Sequence, residues 1–383
     1  MREEEFHERV GTIIRDKWTL VRLLGVGGMA AVYVGVHRIG RRDALKILHT
    51  EAAKSKEVCL RFEREAQAVN RFRHPGAVEI RDIDVTEDGA PFLVMELLVG
   101  ESLGDRAQRL GKLGVDEVLC HSEATLDVLA AAHKQGIIHR DIKPANLFVT
   151  SEGKVKVLDF GLARMHEGGL SDGLYTKEGT TLGTTPYMPP EQARGRGIDE
   201  RADLFAMGAT MFRLLTGRYI HEAQSPFDLL LKMGREPAAS IGTVAPEVPR
   251  HVAMIVDRAL AFDRDKRYAD ADAMLEDVRA AIRGELPPNA LRLAEANDRP
   301  TLVDAEPAAG AAPETAGPST DIPIVLSGFS SSGGESSTDP GAMAPLTPPM
   351  TPNTLETAPP VIKVGGATIE STMVSPGNEP KKR

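Results

Sequence analysis

The spacing of apolar residues divides this chain, and that division limits what it can fold into. TLVRLLG (19–25), AVYVGVH (31–37) and DALKIL (43–48) alternate apolar and polar residues and are separated by glycine-rich or Gly/Arg turns. Period-two runs broken by such turns predict adjacent antiparallel strands. From Lys54 to Phe72 the spacing becomes helical, with Phe62, Ala66 and Val69 at i, i+4 and i+7, before VEIRDIDV and PFLVMEL return to strand. Beyond LVGESLG helical spacing takes over. VDEVLCHSEATLDVLAAAHKQG stops at Gly136 and RADLFAMGATMFRLLTG at Gly217, residues suited to closing a helix. SPFDLLLKMG and ADAMLEDVRAAIRG continue the pattern. The expectation is an α+β protein, in which a small antiparallel sheet lobe with one main helix precedes a larger, mostly helical lobe. No internal repeat of solenoid length interrupts it.

At 383 residues there is room for one large or two modest domains and a tail. The tail is set by composition. From about Leu286 the chain turns to Pro, Ala, Ser, Thr and Gly, as in AEPAAGAAPETAGPST and APLTPPMTPNT. Such segments bury too little apolar surface to offset ordering entropy, so residues 284–383 are expected to be disordered. A formal net charge of -9 argues against nucleic acid as a partner. Cys59 and Cys120 stand far apart without a C-x-x-C or Cys/His cluster, which disfavours a disulfide framework or zinc site and suits a reducing interior. The opening MREEEFHERVG has no apolar core of a signal peptide, and no apolar run is long enough to cross a bilayer, so a cytoplasmic location is expected.

The stretch GIIHRDIKPANLF (136–148) gathers His139, Arg140, Asp141, Lys143 and Asn146 between apolar ends. Downstream, NLFVT and KVKVL flank the turn Ser151-Glu152-Gly153, a hairpin signature. Antiparallel pairing brings the hairpin's outer ends together, which places Asn146 beside Asp159-Phe160-Gly161 with Asp141 one short loop away. An amide oxygen and two carboxylates so grouped suit a divalent cation plus one base; capping and turn roles for these carboxylates are the structural alternative. Nearer the start, Gly25-Val26-Gly27-Gly28-Met29-Ala30 lies between two strands, where glycine lets backbone N–H groups approach a phosphate chain. It is no Walker A loop, and the strand that follows it disfavours a dinucleotide fingerprint. Lys46, flanked by apolar residues in ALKIL, needs an anionic partner, and Glu65 rides the apolar stripe of the 54–72 helix at i+3 from Phe62.

Together and in this order, these motifs resemble a bacterial eukaryote-type (Hanks-type) serine/threonine protein kinase over about residues 14–283. The resemblance implies a charged extension over 1–13, a strand-rich lobe to about 96, a hinge over about 96–101 and a helical lobe over 102–283. It implies ATP with Mg2+, or Mn2+, and protein substrates bearing Ser or Thr acceptors. Gly25, Val26, Gly27 and Gly28 would cover the phosphates, with Val32 and Ala44 also at the nucleotide. Lys46 would hold the alpha and beta phosphates, positioned by Glu65. Met95 would be the gatekeeper, with backbone groups of Glu96 and Leu98 meeting the adenine. Asp141 would accept the proton of the substrate hydroxyl or orient it, Lys143 would stabilise the moving phosphoryl group, and Asn146 and Asp159 would bind the metal. Thr184 would help hold substrate and Lys143, Glu191 would pair with Arg267, and Asp203 would anchor the catalytic loop.

Two residues depart from the family's pattern: Ala30 replaces the third loop glycine, and Pro189 the small first residue of A-P-E. The resemblance also implies that Arg140 reads a phosphate on the activation segment, for which Ser171, Thr176, Thr180 and Thr181 are the candidates, Thr176 foremost. Autophosphorylation in trans would suit a transient homodimer. Thr301, Thr347 and Thr351 in the tail could dock a phosphothreonine-binding partner, against the plainer reading of a spacer with incidental hydroxyls. The rival readings are a pseudokinase or scaffold, which intact Lys46, Asp141, Asn146 and Asp159 oppose, and a small-molecule kinase, which PPEQA, Thr184 and Lys143 oppose.

Overall fold

The computed structural model describes residues 3–160, 184–195 and 197–292. Strands β1 (Ile13–Ile14), β2 (Trp18–Val26), β3 (Ala30–His37), β4 (Arg42–Leu48), β5 (Ile80–Val85) and β6 (Pro91–Glu96) form one antiparallel sheet in the order β1-β2-β3-β4-β6-β5. The period of two decides its faces. Leu45 and Ile47 of β4 join Trp18, Leu20, Tyr33 and Phe92 on the outer face. Ala44 and Leu48 join Val32, Val34, Leu93 and Met95 on the inner face, which packs on Phe62 and Ala66 of α3 (Lys56–Arg71). A short α2 (Thr50–Ala53) connects β4 to α3.

The charged stretch at the start of the chain packs on the sheet. Helix α1 (Glu3–His7) lays Phe6 into the outer-face cluster, and the Tyr33 hydroxyl donates to the Phe6 carbonyl at 3.0 Å. The Arg15 N–H donates to Glu87 Oε1 at 2.7 Å, fastening the segment to the far hairpin. One aromatic ring, worth about 1.5–3 kcal/mol when buried, is enough to seat a charged stretch on an apolar sheet face.

In the second lobe a three-stranded sheet orders β7 (Gly100–Ser102), β8 (Leu147–Thr150) and β9 (Val155–Val157). Around it lie α4 (Leu103–Leu110), α5 (Val115–His133), α6 (Pro190–Ala193), α7 (Arg201–Thr216), α8 (Pro226–Arg235), α9 (Ile241–Val244), α10 (Arg250–Ala259) and α11 (Ala271–Ile282). Helix α7 is buried on nearly every side, so it is the post around which the lobe packs. It ends at Gly217 in the left-handed region, φ +72°, as its sequence predicts.

The expected tail boundary at 284 falls short. Residues 288–292 are helical, and the Asn289 and Ala290 N–H groups donate to the two oxygens of Asp277 at 2.8 Å each. Asp277 is fully buried on α11 and also accepts the Tyr268 hydroxyl at 2.8 Å. A buried carboxylate needs such donors, and that need orders the segment despite its composition. The remainder, 293–383, with Thr301, Thr347 and Thr351, lies outside the described residues. Among the described residues no helix is long and apolar enough to cross a membrane.

Candidate active site

The loop from Gly136 to Asn146 connects α5 to β8, and a buried carboxylate holds its middle in place. Asp203 of α7 accepts the main-chain N–H of His139 at 2.8 Å through Oδ2 and that of Arg140 at 2.7 Å through Oδ1. His133 Nε2, at the end of α5, contacts Oδ2 at 2.8 Å. Arg140 sits at φ +66°, a left-handed conformation that a side chain with Cβ resists, so the loop's path depends on these bonds. His139 is fully buried and ties two segments together. The Asp141 N–H donates to its Nδ1 at 3.2 Å, so the ring proton lies on Nε2 and is donated to the Leu158 carbonyl at 2.7 Å. The same ring stands 4.6 Å from Phe160, centroid to centroid.

The β8–β9 hairpin pairs Leu147 with Val157, and the Leu158 N–H donates to the Asn146 carbonyl at 2.8 Å. Gly153, at φ +78°, turns it. Asn146 and Asp159 therefore stand at adjoining ends. Asn146 Nδ2 donates to the Asp141 carbonyl at 2.7 Å and to Asp141 Oδ2 at 2.9 Å. Both partners accept only, so the amide nitrogen faces Asp141 and the amide oxygen is the atom Asn146 can offer a cation. Lys143 Nζ is 2.9 Å from Asp141 Oδ2 and donates to Thr184 Oγ1 at 2.8 Å. Because lysine only donates, the Thr184 hydroxyl proton is passed on to Asp141 Oδ1, at 3.0 Å.

Across the cleft Lys46 Nζ meets Asp159 Oδ1 at 2.6 Å. Asp159 occupies φ +57°, turning its carboxylate toward that lysine. Burial alone would raise its carboxyl, but Lys46, and then Lys143, hold it below the usual carboxylate range. Asp159 and Asn146 thus present an ionised carboxylate and an amide oxygen, a hard-oxygen pair of the kind magnesium takes together with phosphate oxygens.

The turn 25–30 joins β2 to β3, with the Gly27 N–H donating to the Ala30 carbonyl at 2.8 Å. Ala30 pairs with Leu48 as the first residue of β3 and does not lie at positive φ, so replacing the third glycine carries no backbone strain. Val32 and Ala44 are buried on the inner face beside Met95, which lines a small cavity with Ala66, Leu93, Asp159 and Phe160. Glu96 ends β6 and Leu98 lies on the link from there to β7. Glu65 lies on α3, and its side chain is outside the described residues, as are Ser171, Thr176, Thr180, Thr181 and Gly161.

Glu191 and Arg267 form a two-pronged pair, Nη1 to Oε1 at 2.7 Å and Nη2 to Oε2 at 2.8 Å, with Arg267 fully buried. Pro189, at φ -72°, caps α6, where its carbonyl accepts the Gln192 and Ala193 N–H groups and a donor of its own is not needed. Two contacts around the site carried no sequence signal. His133 on Asp203 is one. The other is Lys156 of β9, which reaches Glu96 Oε1 at 2.5 Å, where that oxygen also accepts the Glu79 N–H at 2.9 Å, and so ties the hinge to both lobes.

A sheet lobe and a helical lobe that bring a lysine, two carboxylates and an amide to the cleft between them define the protein-kinase fold. The chain belongs to the protein kinase domain family, whose model matches residues 18–278. It is 39% identical over 268 residues to the serine/threonine-protein kinase Pkn1 of Myxococcus xanthus, covering 69% of this chain and 38% of that protein. It is 36% identical over 274 residues to PrkC of Bacillus subtilis, covering 71% and 42%. A probable PknB of Lactococcus lactis is 36% identical over 283 residues, with 72% and 44% covered. The chain thus spans less than half the length of these relatives. Its structure is similar to that of the Mycobacterium tuberculosis PknI kinase domain at a TM-score of 0.54 and 26% identity, over 70% of this chain and 98% of that one.

Proposed function

We propose that this protein is a Mg-ATP-dependent serine/threonine kinase that transfers the terminal phosphoryl group of ATP to Ser or Thr hydroxyls of proteins. One observation carries the reading: Asp141, Lys143 and Thr184 form a closed hydrogen-bonded set that the Asn146 amide joins through its nitrogen. Asp141 Oδ1, which accepts a hydroxyl from Thr184, is the atom that orients an incoming acceptor hydroxyl and takes up its proton. Lys143 balances charge gathering on the transferring group, and Lys46 fixes the phosphates from the sheet side. Asn146 and Asp159 would hold magnesium, which when bound neutralises phosphate charge. The bond formed is acceptor oxygen to phosphorus, the bond broken is between the beta-gamma bridging oxygen and phosphorus, and ADP leaves. The hinge at Glu96 and Leu98 and the pocket walls Val32, Ala44 and Met95 would receive the adenine.

The same reading extends to regulation. Arg140 would receive a phosphate placed on Ser171, Thr176, Thr180 or Thr181 by a second copy of the chain, paired transiently. A phosphothreonine-binding partner at the tail and a cytoplasmic site of action complete it. The protein incubated with Mg-ATP should gain phosphate on Ser or Thr by intact mass and peptide mapping. Asp141→Asn should slow this by about 10²–10⁴-fold, the usual contribution of a positioned base. Equal incorporation by wild type and variant would sink the assignment of Asp141, and ATP binding without transfer in either would favour a scaffold.

A further inference from the structure

His49 follows β4 and stands between the N-terminal helix and the nucleotide turn. Its main-chain N–H donates to the Met29 carbonyl at 2.8 Å, and Leu48 before it pairs with Ala30, so this residue closes the base of the 25–30 turn. On its other side the imidazole lies against the Phe6 ring of α1, with centroids 4.7 Å apart at 35°. Burial pushes the imidazole below its usual range, opposed by the neighbouring Ala30 backbone. Among the described residues His49 Nε2 is sealed from solvent without a hydrogen-bond partner. A buried nitrogen left unpaired costs stability, and none of the catalytic groups uses it.

Helix α1 is held by Phe6, by the Tyr33 hydroxyl on its carbonyl and, just beyond its end, by the Arg9–Asp88 pair, and a cavity of about 160 Å³ lies beside Phe6 between it and the ends of β3 and β4. Five residues do not sustain a helix by themselves, so its seat depends on those contacts. Whatever lifts Phe6 frees one face of the His49 ring.

We propose that His49 is a positioning residue for ATP, which transmits the seating of α1 to the phosphate-covering turn through the chain of contacts Phe6, His49, Met29 and Ala30. This rests on reading that turn as the phosphate cover. With α1 seated, the base of the turn is clamped and less ordering remains to be done when nucleotide binds. With α1 displaced, the turn loosens and ATP binds more weakly, which makes the N-terminal segment a control point for nucleotide affinity.

The test uses the full chain, with Mg-ATP dissociation constants from titration calorimetry and KM and kcat on a peptide. Phe6→Ala and His49→Ala should each weaken Mg-ATP about three- to tenfold, the range of coupling between packed elements. Because the two act through one contact, the double variant should be no weaker than the worse single. Turnover at saturating ATP should stay within about twofold of wild type, the signature of lost binding rather than lost chemistry. Phe6→Leu, which keeps most of the apolar volume, should recover much of the affinity. Unchanged dissociation constants in folded single variants, or effects that multiply in the double, would overturn the proposal. So would a fall in melting temperature and turnover with affinity untouched, the pattern of a purely structural role. If His49→Ala does not fold, His49→Gln and Phe6→Ala decide. A wild type that binds Mg-ATP but transfers no phosphate contradicts the kinase reading and leaves the affinity comparison standing, whereas one that binds no Mg-ATP overturns both.

Discussion

Three donors converge on the buried Asp203 carboxylate, and two of them are main-chain N–H groups of the loop that carries Asp141. Asp203→Ala would leave those donors buried and unpaired and release the strained Arg140. Displacement of about 1 Å at a reacting group costs up to about 10²-fold in rate, so a fall in kcat of that order is expected in steady-state assays with ATP saturating. Asp43 poses a different question, one of pH. It is fully buried on β4, bonded to Arg81 Nη1 at 2.8 Å, Arg41 Nε at 2.9 Å and Trp18 Nε1 at 3.3 Å. Burial alone would raise its carboxyl, but the two arginines and the indole N–H hold it below the usual range. A carboxyl whose folded value is depressed contributes stability above its unfolded value of about 3.9 and loses it as pH falls through the folded value. Asp43→Asn should therefore lower the urea midpoint at pH 7 and flatten its decline between about pH 5 and pH 2. An equally steep acid limb in the variant would show that Asp43 is not the group titrating.

At the scale of elements, the ends of helices and strands were largely legible. Gly136, Gly153 and Gly217 all adopt positive φ where the chain turns, a requirement written into single residues. The stretch beyond α11 was not legible, because composition reports average burial and not whether one buried carboxylate needs two particular N–H donors. A chain cut after Gly284 loses both of the Asn289 and Ala290 donors to Asp277. Oδ2 keeps the Tyr268 hydroxyl and Oδ1 loses its donors, so at about 1–3 kcal/mol for that unsatisfied oxygen and about 2–4 °C per kcal/mol it should melt about 2–12 °C below a chain cut after Arg292. Equal melting temperatures would mean that residues 285–292 contribute nothing to the lobe.

At the scale of the whole molecule, the two lobes meet through polar ties such as Lys46 to Asp159 and Lys156 to Glu96, and through Phe72 and Ala77, which pack into the core of the helical lobe. A ligand that bridges the lobes adds its binding energy to the stability of both. Mg-ATP at a hundred times its dissociation constant should add about 2.7 kcal/mol and raise the melting temperature by about 5–10 °C. Chelating the magnesium should remove most of that rise, and Lys46→Met should remove it with the metal present. A rise that survives both changes would place the nucleotide elsewhere on the protein.

The sequence alone determined the division into a strand-rich and a helical lobe, the hairpin that brings Asn146 to Asp159 and the order of charged groups in HRDIKPAN. Those features are local: a period, a turn or a motif lies within a few residues and is readable there. Tertiary packing alone decided that Lys46 meets Asp159, that His133 is the third group on Asp203, that Lys156 reaches the hinge and that Phe6 rests on His49. These partners lie 43 to 113 residues apart in the chain, and no periodicity links them. They are chosen when apolar faces close and leave buried polar groups to find whichever partner the packing has brought within reach.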